Sequence, residues 1–500
     1  MRRLVASSAV ASAIVLATSI FALALSGPFR VSSASTVAGC SVPSGGGTNY
    51  PNTEVEPFTA VNPTTVGTTT VNVLAAYQQD RWSNGGAHAL VAAASNDGGQ
   101  TWTRTPLPFN VCVAGGLSYE RASDPWVSVG RDGIAYTVSI SFNATNNDNG
   151  VFAMRSTNGG ASWDHLSGLK VDNNQNQFFN DKESVTADPT RNGTAYVVWD
   201  RLVGPTDNLA VESHNFFAFT GPAWFSETSN GGVSWSMAKI IVPTGQNQQT
   251  IGNQVVVAPD GTVFDFFTSI SGTGPGAGPM SQIPHGFSIG YVKSTDAGAT
   301  WTAPKIIEKI DDVIVTDPNT GQQMRTADFD ADPGVDPVTG QLYLVWQDGR
   351  FTGGKFAQVL EITSTDEGAT WSAPSIVSNP AVKVSTFNPT IAVGSDGSVG
   401  LYYYDFRNLT AGNTTTLPTD IWFKSAPRGG SFGAEEHVMG SFNMLAAPNA
   451  GGFFLGDYEG MAANGGTFVA VFAATNCNDN SCSATAGATN PDDIYSAGLP

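Results

Sequence analysis

Ser294-Thr295-Asp296-Ala297-Gly298-Ala299-Thr300-Trp301 decides the fold. The pattern Ser/Thr-x-Asp/Asn-x-Gly-x-Ser/Thr-Trp returns at Ser95–Trp102, Ser156–Trp163, Thr228–Trp235 and Ser364–Trp371. A worn copy runs from Ser425 to Phe432, with Pro427 in place of the acid and Phe432 in place of the tryptophan. Each conserved position has a physical task. The Asp or Asn side chain accepts backbone N–H bonds just ahead and closes a tight turn. The glycine supplies a positive φ without Cβ strain. The hydroxyls tie the turn locally, and the tryptophan is a large apolar plug with one N–H to place. A strand-like run precedes each copy (287–293 before Ser294) and a shorter one follows (305–307). The element is therefore a β-hairpin turn, repeated. Turn geometry accounts for all of its residues, so it is scaffold and not chemistry.

The 500-residue chain has 41% hydrophobic and 13% charged residues with 56 glycines, the balance of a β-rich globular protein. Net charge is −19, which denies the basic footprint that nucleic-acid binding requires. Arg2 and Arg3, then the apolar stretch from Val10 to Leu25, then Ser26-Gly27-Pro28, read as a secretory signal peptide cut after Ser26 or near Ala34-Ser35. Residues 1–35 are signal and linker, and 36–500 form one domain. The apolar stretch is short for a spanning helix and no second segment of about 20 apolar residues follows, so a secreted protein with no membrane span is expected. Val37-Ala38-Gly39-Cys40 has the form of a lipobox, but it lies far beyond the apolar stretch. Lipidation of Cys40 would leave three thiols. An even four (Cys40, Cys112, Cys477 and Cys482) fits two disulfides in an oxidising compartment, with Cys477 and Cys482 near enough to clip a loop.

The turns are 61 to 72 residues apart, and each unit has one grammar: a buried strand, a short turn, a second strand, a variable loop, a third strand, the tryptophan turn and a fourth strand. Units open at 54–61, 124–129, near 183–185, at 253–258, from Asp330, at 388–393 and at 455–459. The pattern resembles the Asp-box, or BNR, repeat of the sialidase superfamily. That resemblance implies an all-β fold, a single β-propeller of four-stranded blades. The opening strands count to seven, with six blades, as in sialidases proper, as the alternative. Radial closure leaves only short sheet edges. The last unit lacks a fourth strand, which the segment 37–42 is expected to supply.

The resemblance implies glycan cleavage at the mouth opposite the tryptophan turns. Second strands end in acid–arginine pairs there: Asp80-Arg81, Asp200-Arg201, Asp348 with Arg350 and Asp405 with Arg407. Pairs that recur in unit after unit are expected to be ion pairs between units. As substrate-binding candidates, Arg81, Arg121, Arg201, Arg350 and Arg407 carry the fork that grips a carboxylate. Asp124 and Glu183 are acid–base candidates, and Tyr458 with Glu459 a nucleophile pair, as carboxylates and a tyrosine serve in glycosidases. Tyr458 and Glu459 can cooperate only on an irregular strand, because neighbours on a regular one face opposite ways. The family places an arginine after an aromatic on its first inner strand. Here Phe58 is followed by Thr59, and Asn84 stands where the family has its acid. Asp328, Asp330 and Asp332 fall on one face of an expected strand and suggest a structural calcium; no other cofactor is called for. The five histidines show no zinc spacing. The expected partner is an extracellular glycan or glycoprotein, met by a monomer. The alternative is a propeller that binds glycan or protein without catalysis.

Overall fold

The computed structural model describes residues 26–175, 177–204, 220–272, 286–476 and 491–500. The expected signal segment, the Cys477–Cys482 clip, His214 and His285 lie outside the described residues. What is described is all-β, with one single-turn 3-10 helix at Met444–Ala446. Strands come in antiparallel sets of four paired in chain order, as in Gln248–Val257, Val263–Ser271, Gly286–Ser294 and Lys305–Ile310. The sets open with Glu54–Val61, Arg121–Val129, Phe178–Ala187, Gln248–Val257, Ala331–Val335, Thr386–Val393 and Gly460–Asn464. A bridge between Ala87 and Ala122 joins the first two sets, and the short strand Thr220–Gly221, parallel to Gln248–Gln249, joins the third and fourth. Second strands such as Val73–Arg81 and Leu342–Asp348 are buried from end to end. They are covered on both faces, which is why their sequences are nearly continuous apolar runs rather than alternating ones.

Opening strands lie against one another in succession. Glu54–Val61 touches Arg121–Val129, and so on through the chain to Gly460–Asn464, which lies against Glu54–Val61 again. The last set obtains its outer strand from the chain's beginning. Ser26–Arg30 pairs antiparallel with Asp492–Leu499, Phe29 opposite Ser496 and Arg30 opposite Tyr495. The missing strand therefore comes from 26–30, within the stretch read as signal and linker, and not from 37–42. The latter makes a tight turn, the Cys40 N–H donating to Val37 O (2.8 Å), and carries Cys40, bonded to Cys112 with 5.5 Å between Cα atoms. That bond uses the thiol a lipid would need. No helix among the described residues is long and apolar enough to cross a membrane.

Every full copy of the tryptophan turn makes the same bonds. In the first, Asp97 Oδ1 accepts the Ser95 hydroxyl (2.7 Å) and the Thr101 N–H (2.9 Å), Asp97 Oδ2 accepts the Thr101 hydroxyl (2.6 Å), and Ser95 Oγ accepts the Gly99 N–H (2.9 Å). Asp296 and Asp366 repeat this set. Asn158 and Asn230 keep it with an amide, the Nδ2 donating to Ser162 and Ser234. The aromatic that ends each turn packs into the preceding set. Trp235 meets Tyr136, Trp301 meets Phe225 at 5.2 Å, and Trp371 meets Phe266 at 6.0 Å. Trp163 packs beside Leu74 and Ala76, Phe432 beside Tyr343, and Trp102 donates its N–H to Ser496 of the last set (3.2 Å).

These bonds make the turns acid-sensitive. Asp296 and Asp366 are held at about 2 by the Thr300 and Thr370 bonds; burial is the largest single effect on Asp97 and raises it, but its Thr101 and Ser95 bonds together outweigh burial and hold it at about 2. A carboxylate depressed from its ordinary value near 4 contributes stability above that value and loses it as pH falls toward 2. The triple variant Asp97→Asn, Asp296→Asn, Asp366→Asn should therefore lose less thermal stability between pH 4 and pH 2 than the parent. Thermal unfolding across that window checks this; parallel curves would show that the three carboxylates contribute nothing.

Candidate functional site

The opening strands are broken at one level. Register shifts fall between Val55 and Phe58, Ser123 and Trp126, Asp181 and Ser184, Ile251 and Gln254, and Phe387 and Thr390. At each break one residue has a left-handed backbone: Glu56 (φ 52°), Asp124 (54°), Lys182 (46°), Gly252 (65°) and Asn388 (46°). Four of these are not glycine, and such a conformation costs roughly 1–2 kcal/mol per residue. Bulges of this kind re-aim side chains and gather beside functional sites. Here they turn polar groups toward the common centre, and only glycine fits at 252. A Cβ there would stand 2.6 Å from Asp330 Oδ1.

Around that centre runs a continuous polar network. Asp457 accepts the Lys182 ammonium (2.8 Å) and both Nε (2.9 Å) and Nη2 of Arg325. The Asp457 N–H donates to Glu56 Oε1 (3.3 Å), and Glu56 Oε2 accepts the Gln78 amide. Gln78 Oε1 takes Arg81 (2.9 Å), while Ser123 Oγ donates to Asp124 (2.9 Å). Arg81 and Arg325 both sit over the Phe454 ring, at 5.1 and 4.5 Å. A cavity opens here between Trp126, Lys182, Glu183, Asp330, Asp457 and Tyr458.

Electrostatics splits the carboxyl groups. Burial pushes Asp330 up to about 7 against the pull of Lys182; burial and Asp124 push Asp181 and Glu56 to about 7, with Asp457 adding to both. Burial, then Asp124, raises Glu183 well above the usual range, against a smaller pull from backbone N–H groups. Asp457 goes the other way. Burial alone would raise it, but Arg325 and Lys182 outweigh burial and hold it far below the carboxylate range. One small cavity thus combines protonatable carboxyls with a permanently ionised one.

Among the sequence candidates, Glu183, Asp330, Asp332, Tyr458 and Glu459 line this cavity, with Asp124 and Arg81 in the polar network beside it. The other arginines do not converge. Arg121 donates to Asn84 Oδ1 and Gly85 O (2.7 Å each) over Trp82. Arg201 pairs with Asp172 of the neighbouring set (2.6 and 2.8 Å), Arg350 with Asp348 and with Glu308 of the set before, and Arg407 with Asp405 and Glu435. Asp200 and Asp80 turn away from the arginines that follow them: Asp200 accepts Thr250 and Asn253, Asp80 accepts Ser35 and the Asn52 N–H. Tyr458 and Glu459 also diverge. The Tyr458 hydroxyl donates to Pro125 O (3.2 Å) beside Trp126, whereas Glu459 accepts the Ala473 N–H (2.9 Å). Asp328 lies in a turn ahead of the strand Ala331–Val335, so the three aspartates share no strand face, and Asp332 is spent on the Ile391 N–H (2.7 Å). Among the described residues no three acidic, histidine or cysteine side chains are placed to hold a metal. Thr59 donates to Leu74 O (2.8 Å), so the position after Phe58 is structural. Lys182 and Arg325 were not among the sequence candidates for binding or catalysis; their place among the acidic residues of 181–183 and 325–332 marked them only as charges on the same face.

No family model matches the sequence, and no curated protein matches it. Among solved structures the chain is similar to the Hadza microbial sialidase Hz136, with 14% identity and a TM-score of 0.46 over 86% of this chain and 74% of that one. It is similar to an alpha-L-arabinanase from Penicillium chrysogenum, with 14% identity and a TM-score of 0.46 over 76% of this chain and 94% of that one. An alpha-L-arabinofuranosidase from Fusarium graminearum gives 13% identity and a TM-score of 0.43, covering 73% and 90%.

The contact between Gly252 and Asp330 is open to test. Gly252→Ala meets Asp330, whereas Gly412→Ala, also left-handed (φ 81°), meets nothing within 4 Å. Both should lose about 1 kcal/mol for conformation, and Gly252→Ala roughly 1 kcal/mol more for overpacking. Denaturant unfolding of the two variants measures the difference; equal losses would mean that Asp330 is free to move aside.

Proposed function

We propose that the protein is a secreted, seven-bladed β-propeller of sialidase-like kind that hydrolyses extracellular glycans at its axial cavity. The cyclic order of the opening strands and the strand shared between chain start and chain end support the seven-bladed reading. The Cys40–Cys112 bond suits an oxidising compartment.

The observation that carries the activity is the convergence of carboxyl side chains on one cavity, which Glu183, Asp330 and Asp457 line, with burial raising Asp330 while two cations hold Asp457 ionised. Groups whose environments push their pKa values apart are the ones suited to acid and base roles. Asp330, at about 7, is the proposed proton donor to a leaving glycosidic oxygen, with Glu183 beside the cavity as the second candidate. Asp124, anchored by Ser123, is the proposed base. Trp126 and Tyr458 offer aromatic faces for a sugar ring. Tyr458 as nucleophile would first have to give up its bond to Pro125. The scattered, self-paired arginines favour one second reading, a propeller that binds glycan without cleaving it.

A general acid must be protonated to act, so activity should be high below about pH 7 and fall as Asp330 ionises above it. Asp330→Asn should lower kcat by roughly 100-fold or more and remove that limb. The measurement is a pH–rate profile on a panel of fluorogenic glycosides that includes arabinofuranosides and sialosides. Absence of turnover on every substrate would reject hydrolysis and leave the binding reading, which calorimetric titration with the free sugars then decides.

A further inference from the structure

Lys182 lines the axial cavity, and two further cations from separate parts of the chain stand in the network beside it. Arg81 ends the second strand of the first set, Lys182 occupies the left-handed break of the third, and Arg325 belongs to the two-residue strand Met324–Arg325 that pairs with Phe453–Phe454. Two planar guanidinium groups over one phenyl ring and an ammonium opposite make a grip of the shape and charge that takes a carboxylate. The grip already holds one. Asp457 fills it with a bond to Lys182 Nζ and a two-point bond to Arg325, and its side chain is 4% exposed. Glu56 fixes Asp457 from behind through the backbone N–H. Asp124, Asp330 and Glu56 also surround Lys182, so carboxyl groups outnumber cations about the cavity.

We propose that Asp457 is a built-in counter-ion: it occupies the grip that would otherwise take a ligand's carboxylate, and so sets the cavity to prefer uncharged sugars over acidic ones. The preference for sugars rests on the glycan reading above; the exclusion of carboxylates does not. A second carboxylate entering this cavity would meet cations already neutralised and a ring of acids. Without the Asp457 carboxyl, Lys182 and Arg325 would lose the carboxylate they bond in common and face a hole of its size, a loss that is strongly destabilising in a buried setting and that a small anion of the right shape would reverse.

The test uses the full chain and Asp457→Ala, with sodium formate against sodium chloride at equal ionic strength. The variant's melting temperature should fall well below the parent's, formate should restore at least half of the loss, and chloride should not. The parent should be indifferent to the choice of salt. In calorimetric titrations the variant should bind N-acetylneuraminic acid at least ten-fold more tightly than the parent does. Formate acting no better than chloride would overturn the proposal. If Asp457→Ala does not fold even with formate, the parent alone decides: binding of N-acetylneuraminic acid as tight as that of its uncharged methyl ester overturns the proposal, and a preference for the ester supports it. Formate rescue without binding of any sugar would sink the glycan reading while leaving the counter-ion in place.

Discussion

The structure depends on an aromatic ring pressed into the neighbouring sheet. Trp301 against Phe225 is one instance; Trp235, Trp371 and the worn Phe432 are others, and Trp102 makes the same reach to the last set through Ser496. A lone four-stranded sheet cannot bury both faces. Each tryptophan turn therefore does two tasks: it closes its own hairpin and seals the joint with the set before it. Burying such a ring contributes on the order of 1.5–3 kcal/mol or more by area, whereas the turn's hydrogen bonds lie mostly at the surface and contribute chiefly geometry. The bonds fix the direction of the ring, and the ring holds the sheets together.

Stacking sheets in this way leaves their opening strands crowded together, and there the chain departs from regular geometry. Five breaks at one level rotate Glu56, Asp124, Lys182 and Asn388 out of alternation, while Gly252 makes room for Asp330. A regular strand would bury such residues in the joints between sheets or send them outward. The conformational cost is met by hydrogen bonds that the breaks make possible, such as the Lys182 N–H to Asp124 and Asn388 to Gly456 O. Strained backbone and concentrated charge coincide at this level of the opening strands.

How much of this could be read from the residues varied with the range of the interaction. The tryptophan turns were legible because their bonds lie within eight residues and need only a hydroxyl, an acid or amide, and a glycine; Asn158 and Asn230 show that the amide suffices. The strand grammar was legible for a similar reason. The acid–arginine doublets misled because neighbours on a strand face opposite ways. Asp200 turns to Thr250 while Arg201 turns to Asp172. The 328–332 aspartates misled because Ala327 (φ 42°) starts a turn that no residue type announces. Lys182, Arg325 and Asp457 meet across hundreds of residues, and nothing local marks a lysine for a left-handed break. Among the candidates, Glu183 and Tyr458 fell at the cavity, with Asp124 beside it, because each lies in or just before an opening strand, the one feature of position that the repeat does encode.

The pairing of Ser26–Arg30 with Asp492–Leu499 also constrains how the molecule is made. The outermost strand of the final sheet is synthesised hundreds of residues before its partner is made. Until then Phe29 has nothing to pair with, and the edge of Asp492–Leu499 has no cover once it appears. Entropy charges little extra for so long a closure, since the cost grows only with the logarithm of length. Timing is the greater demand. The two strands act as a clasp that cannot fasten until both have been made, so a chain terminated before Asp492 carries Ser26–Arg30 unpaired.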